Sequence, residues 1–249
     1  MSIKLDVLAL AAHPDDTELS CSGTLSALVK QGLKVGVVDL TQGEMGSRGT
    51  PELRLMEANS AADIIGLTVR DNLGLPDCNL ENSLGHREAI IQAVRMYRPD
   101  IVFINAPDDR HPDHGNAAKL SLDALFYSGL IKIHTFYPNG EPQDPWRPHH
   151  IFHYMQDRTF EPDVVFDISD TIDIKDKAIL AFGSQFNISN PGDEPETYIS
   201  SSDFFENLRA RARHFGHQIG VKYGEGFKYY GGPIALKALD TFLNHKQKR

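Results

Sequence analysis

The chain has 249 residues, a formal net charge of −9 and 41% hydrophobic residues, as expected of a globular protein with a sizeable core. An excess of 34 acidic over 25 basic residues argues against nucleic-acid binding, whose affinity comes from clustered cations. Two cysteines exclude a disulfide framework and fit the reducing cytoplasm. The apolar run before His13 is too short for a membrane span and has no signal-peptide cleavage site.

Taken in chain order, Leu5–Ala12 is a nearly continuous apolar run, the pattern of a strand covered on both faces. Thr17–Lys30 has helical spacing, with Gly32 as its stop. Val35–Leu40 reads as a second strand. Thr50, Pro51 and Glu52 supply a cap, a first-turn proline and a first-turn acid for a helix ending at Ile65 before Gly66. A short strand is expected over Thr68–Asn72, a helix over His86–Tyr97 and a buried strand over Ile101–Asn105. Another helix is expected from about Asp113 to Tyr127.

Pro138–His150 reads as a long loop, followed by strands at Ile151–Met155 and Val164–Asp167 and a helix near Ile172–Phe182. Gln185–Ser202 is polar and turn-rich, Asp203–Gly220 is a final helix, and Tyr229–Pro233 reads as a turn at a subunit contact. The alternation predicts a single α/β domain over residues 1–249, with a doubly wound, mostly parallel sheet and helices on both faces.

Two clusters stand out: His13-Pro14-Asp15-Asp16 after the first strand and His111-Pro112-Asp113-His114 after the fourth. A sheet of order 3-2-1-4-5 places those strand ends side by side at the switch point, where such sheets bind ligands. Two imidazoles and a carboxylate with an open position form the ligand set of a hydrolytic zinc site. His13, Asp16 and His114 are the expected ligands, with ferrous iron or another divalent ion compatible with the same donors.

Asp15 is then placed to take a proton from water, and His111, as an imidazolium, to stabilise an oxyanion and protonate a leaving amine. Asp113 is expected to hydrogen-bond an imidazole. The plainer alternative is that Asp16 and Asp113 only cap helices. A nucleotide-binding protein with the same sheet is the main rival, but Gly-x-Gly-x-x-Gly is absent after the first strand and two aspartates there repel a pyrophosphate.

The segment Ala12-His13-Pro14-Asp15-Asp16-Thr17-Glu18 and the second cluster resemble the signatures of the LmbE-like, or PIG-L, zinc-dependent N-acetylglucosamine deacetylases. Thr41–Thr50, Arg54–Ala58 and Gly220–Phe227 extend the resemblance over nearly the whole chain, and the late segment is most similar to the bacillithiol-biosynthesis branch. The resemblance implies a Rossmann-like fold, one Zn2+ on His13, Asp16 and His114, and Asp15 as general base. It further implies His111 on the acetyl carbonyl with Asp113 as its partner, Arg54 gripping the sugar or its aglycone, and Asp77 on sugar hydroxyls.

Tyr198 is the candidate for a mobile tyrosine near that carbonyl. The implied substrate is a small soluble glycoside such as N-acetylglucosaminyl malate, whose two carboxylates direct attention to Arg48, Arg54 and Arg110. A homo-oligomer is expected.

Overall fold

In the computed structural model, which describes residues 3–186 and 195–233, seven strands are found among the described residues. They are β1 (Val7–Ala11), β2 (Val35–Thr41), β3 (Val69–Leu75), β4 (Ile101–Ile104), β5 (His150–Tyr154), β6 (Val164–Asp167) and β7 (Gly224–Tyr229). They make one sheet of order β3-β2-β1-β4-β5-β7-β6. Strands β1 to β5 are parallel, and β7 runs antiparallel between β5 and β6. The expected 3-2-1-4-5 order is therefore present, extended by an antiparallel edge.

Successive residues of a strand point to opposite faces, so each buried strand feeds two cores. Leu8, Leu10, Val38, Leu40, Val102 and Ile104 pack against α4 (Leu84–Tyr97) and α5 (Pro112–Tyr127). Val7, Ala9, Val35, Val37 and Phe103 face the other way, toward α2 (Ser22–Lys30), α3 (Pro51–Ile65) and α6 (Ile172–Leu180). Phe204 and Leu208 of α8 (Ser202–Gln218) close that second core. No helix among the described residues is long and apolar enough to cross a membrane.

Several expectations shift. The helix over Thr17–Lys30 is two helices, α1 (Asp16–Ser20) and α2, broken at Cys21. The break frees the first amides of α2, and the buried Glu225 carboxylate accepts from Gly23 N at 3.3 Å and Thr24 N at 2.7 Å. Lys175 Nζ, 2.6 Å from Glu225 Oε1, balances that charge. β3 continues to Leu75 rather than stopping at Asn72, which delivers Asp77 to the same end of the sheet as His13. The helix near Ile172–Phe182 ends at Leu180, followed by a short α7 (Gly183–Phe186).

The segment before Tyr229–Pro233 is the strand β7, and Tyr229 pairs with Phe152 instead of forming a turn. Gly224 and Gly226 masked this strand in the sequence. A Cβ on Gly224 would lie 2.7 Å from Val165 Cγ1, so the strand fits between its neighbours because it is bare there. Of the turn-rich stretch Gln185–Ser202, residues 187–194 lie outside the described residues. Tyr198–Ser200 forms a 3-10 turn.

Candidate active site

β1 and β4 are neighbours in parallel register, Val7 opposite Ile101 and Ala9 opposite Phe103, so the loops leaving their carboxyl ends face one crevice. Asn105, the first residue past β4, sews them together. Its Oδ1 accepts from Ala12 N at 3.0 Å, and its Nδ2 donates to Asp16 Oδ2 at 3.0 Å. Gln156 Nε2 donates to Asp16 Oδ1 at 3.1 Å, and His13 N donates to Asp16 Oδ2 at 3.1 Å. The Asp16 carboxylate is thus buried and fixed from three sides.

His114 Nε2 lies 3.1 Å from Asp16 Oδ1, and its Nδ1 lies 2.5 Å from Asp109 Oδ2. His13 Nδ1 lies 3.8 Å from Asp16 Oδ2, while its Nε2 meets Asp77 Oδ1 at 3.1 Å and Asp113 Oδ2 at 3.4 Å. Each imidazole therefore turns one nitrogen toward Asp16 and the other toward carboxylates that orient it, the arrangement that holds a histidine for a metal.

The rings of His13 and His111 are 4.7 Å apart, and those of His111 and His114 are 5.2 Å apart. One nitrogen from each of His13, His111 and His114 falls within 4.8 Å of the others, and so do ligand atoms of His13, Asp77 and Asp113. Imidazole and carboxylate donors at this spacing suit a divalent ion.

Charge supports the same reading. Burial opposes a charge on His13, yet hydrogen bonds to Asp113 and Asp77 and the charge of Asp16 push its pKa up to about 10. Burial likewise opposes a charge on His114, and Asp16 and Asp109 push its pKa up to about 9. Asp16 is held well below the usual carboxylate range by His114 and His13, against its burial. So many carboxylates around so few imidazoles call for positive charge at the centre.

Asp15 stands beside this centre in a left-handed backbone conformation, φ 107° and ψ −23°, which is strained for any residue but glycine. Arg54 holds it there. Thr50 caps α3 and Pro51 starts it, placing Arg54 in the first turn, where its Nη2 donates to Pro14 O at 2.5 Å and Asp15 Oδ2 at 3.0 Å. Its Nη1 donates to Gly43 O at 3.3 Å. A Cβ on Gly43 would sit 2.2 Å from that nitrogen, so the approach requires glycine. Burial raises the Asp15 pKa to about 7, with the Arg54 guanidinium opposing the rise.

His111 is the N-cap of α5, its Nδ1 accepting from Asp113 N at 3.2 Å. An accepting Nδ1 leaves the proton on Nε2. Burial and the charges of His13 and His114 lower its pKa, which disfavours the expected imidazolium. Neither Asp16 nor Asp113 serves as the side-chain cap of its helix. The Asp113 carboxylate turns to His13 and accepts from Cys78 N at 2.8 Å, whereas His111 meets the backbone of Asp113.

The other candidates divide. Asp77 sits in the site cavity, but its oxygens serve His13 and Met45 N rather than open space. Arg54 lines the cavity through its grip on Asp15. Arg48 is buried and turned away, donating to Ser184 O at 2.8 Å and Pro195 O at 3.3 Å. Arg110 and Tyr198 reach the rim, the guanidinium 4.5 Å over the ring and the Tyr198 hydroxyl donating to Asp157 at 3.0 Å.

Sequence reasoning missed Asp109, Asn105 and Gln156, all of which touch the centre. Asp109 was visible as an acid in the loop carrying His111, and Asn105 as a polar end to an apolar strand. It also missed Arg70, whose Nη1 meets Glu18 at 2.6 Å and whose Nε meets Asp39 at 2.8 Å beneath α1.

The family described as PIG-L, GlcNAc-PI de-N-acetylase, matches residues 8–125, which span both clusters. A diacetylchitobiose deacetylase of Thermococcus kodakarensis is 31% identical over 91% of this chain and 83% of its own length. A probable N-acetyl-alpha-D-glucosaminyl L-malate deacetylase 2 of Bacillus cereus is 31% identical over 72% of this chain and 83% of its own. The crystal structure of a conserved protein from Thermus thermophilus superposes with a TM-score of 0.81 at 38% identity, covering 94% of this chain and 98% of that one. With both clusters converging at the switch point of the sheet and relatives matched along most of their lengths, the chain belongs to the PIG-L family of deacetylases.

Proposed function

We propose that the chain is a metal-dependent amidohydrolase that removes the acetyl group from an N-acetylglucosamine conjugate. One observation carries this reading: His13, Asp16 and His114 converge on one cavity of about 250 Å³ with Asp15 and His111 at their side. His13 Nδ1, Asp16 and His114 Nε2 are the atoms that would hold one divalent ion, with Zn2+ first and Fe2+ next by donor type. Such an ion lowers the pKa of water and polarises a carbonyl.

The chain's own groups supply the rest. Asp15, with a pKa near 7, accepts a proton from water as the water oxygen attacks the acetyl carbon. His111 Nε2–H donates to the oxygen on which charge develops. As the C–N bond breaks, protonated Asp15 returns its proton to the amine, and acetate and glucosamine conjugate leave.

The test measures metal content and amine release on one sample, with N-acetylglucosamine, N-acetylglucosaminyl malate and N,N′-diacetylchitobiose as substrates. Amine release that depends on bound metal and is lost in Asp15→Asn supports the reading. A metal-loaded protein that releases no amine from any of them overturns it. Two unpaired cysteines, Cys21 buried and Cys78 exposed, support a reducing, cytoplasmic setting for this reaction.

A further inference from the structure

We propose that Arg48, which does not itself line the site cavity, is a positioning residue: it ties three chain segments into one wall of that cavity and so sets how tightly substrate binds. This rests on the deacetylase reading of the site. Gly46 and Ser47 of the loop after β2, Gln185 of α7, and Thr197, Tyr198 and Ile199 at the 3-10 turn all line the cavity. They come from three places in the chain, so contacts between the segments fix their spacing.

Arg48 is 3% exposed and joins the first segment to the other two. Its Nε donates to Ser184 O of α7 at 2.8 Å, and its Nη1 donates to Pro195 O at 3.3 Å, two residues before Thr197. Gln185 Nε2 returns the contact by donating to Arg48 O at 2.9 Å. Gly49 lets the loop come this close, since a Cβ there would lie 2.8 Å from Ser184 Oγ. Ser184 is fixed by α3 as well, its N and Oγ donating to the two carboxylate oxygens of buried Glu57 at 2.6 and 2.7 Å. A guanidinium suits this task because its nitrogens point in fixed, divergent directions and can serve carbonyls of two segments. An ammonium is a point charge on a flexible stem.

The turn depends on such ties, because none of Tyr198–Ser200 is buried. Its other anchor is Tyr198, whose hydroxyl donates to Asp157 and whose ring lies between Arg110 and Phe204. The groups proposed to do the chemistry are fixed differently. Arg54 holds Asp15, Asn105 and Gln156 hold Asp16, Asp109 orients His114, and Asp77 orients His13. Releasing Arg48 should therefore loosen the wall while the reacting centre stays in place.

The experiment compares wild type, Arg48→Lys and Arg48→Met, each metal-loaded, with N-acetylglucosamine as substrate. Arg48→Met is expected to raise KM about tenfold while kcat stays within about twofold, the split that a lost binding wall produces. Arg48→Lys, which keeps the charge but can serve only one carbonyl well, should fall between the two. Hydrogen exchange reads the wall without turnover. Thr197 N donates to Ser200 Oγ and Ser200 N to Thr197 O, and both amides should exchange about tenfold faster in Arg48→Met, with the amides of α5 unchanged.

An unmoved KM, a kcat that falls as far as KM rises, or unchanged exchange at Thr197 and Ser200 overturns the proposal. If Arg48→Met is not recovered folded, Arg48→Lys decides by the same two readouts, with smaller changes in the same direction expected. Failure of the wild-type protein to release amine strikes the deacetylase reading instead. Faster exchange confined to the turn would still uphold Arg48 as the tie that holds the wall.

Discussion

Arg54 Nη2 lies 3.0 Å from Asp15 Oδ2 while also donating to Pro14 O, so one guanidinium both neutralises the proposed base and clamps its strained turn. The sequence resemblance assigns Arg54 to the substrate; in the structure its guanidinium is paired with Asp15. Removing the charge takes away what opposes the rise of the Asp15 pKa above about 7. Arg54→Met should therefore move the acid limb of the pH–kcat/KM profile upward by roughly one to three units. Activity lost at pH 7 should partly return at higher pH, and Arg54→Lys should shift the limb less. An unmoved limb would separate Arg54 from the base.

Asp109 orients His114 from the side away from Asp16, with Oδ2 2.5 Å from Nδ1 and Oδ1 accepting from Arg158 N at 2.7 Å. Asp109→Asn keeps the shape and removes the charge. Metal affinity, measured by competition with a chelator, should fall about 10- to 100-fold. Unchanged affinity would mean that His114 needs no such support.

In chelator-treated protein, His13 and His114 bind protons more tightly than free imidazole, with pKa values of about 10 and about 9. Their folded-state values are raised, so the stability they add is complete below about pH 6.5 and is lost as pH rises through 9 to 10. Ligation needs each nitrogen facing Asp16 to be bare. Metal uptake near pH 7 should thus release about two protons, read by calorimetry in buffers of different ionisation enthalpy. Release of none would place the ion on other atoms.

Beneath α1, Arg70 is the cation shared by Glu18 and Asp39, its side chain 3% exposed and theirs 0% and 2%. Burial pushes the Asp39 pKa up to about 6 in spite of Arg70. Arg70→Met leaves two buried carboxylates without their cation and should cost about 3–5 kcal/mol in urea unfolding. Adding Glu18→Gln and Asp39→Asn should recover part of that loss. A neutral Arg70→Met would show that the carboxylates find water instead.

The elements that were legible are those with local signals. Thr50, Pro51 and Gly66 mark α3 because caps and stops act within one turn of the helix, and the structure has all three in those roles. β7 was not legible, since Gly224 and Gly226 break the strand pattern until the neighbouring strands show why a side chain there would collide. Cys21 gave no sign of a helix break either, because the carboxylate that rewards the break comes from Glu225, 202 residues away from Gly23.

Residue order by itself determined the strand–helix alternation and the two His-Pro-Asp clusters at strand ends, because periodicity and turn chemistry are local properties; that those two strands are neighbours is a pairing of the folded sheet. Which carboxylate serves which imidazole was decided only by the tertiary structure. Asp77 reaches His13 across 64 residues, and Arg54 reaches Asp15 across 39. Contacts of about 3 Å depend on strand register, on the length of β3 and on rotamers set by packing, and no spacing in a linear chain specifies those.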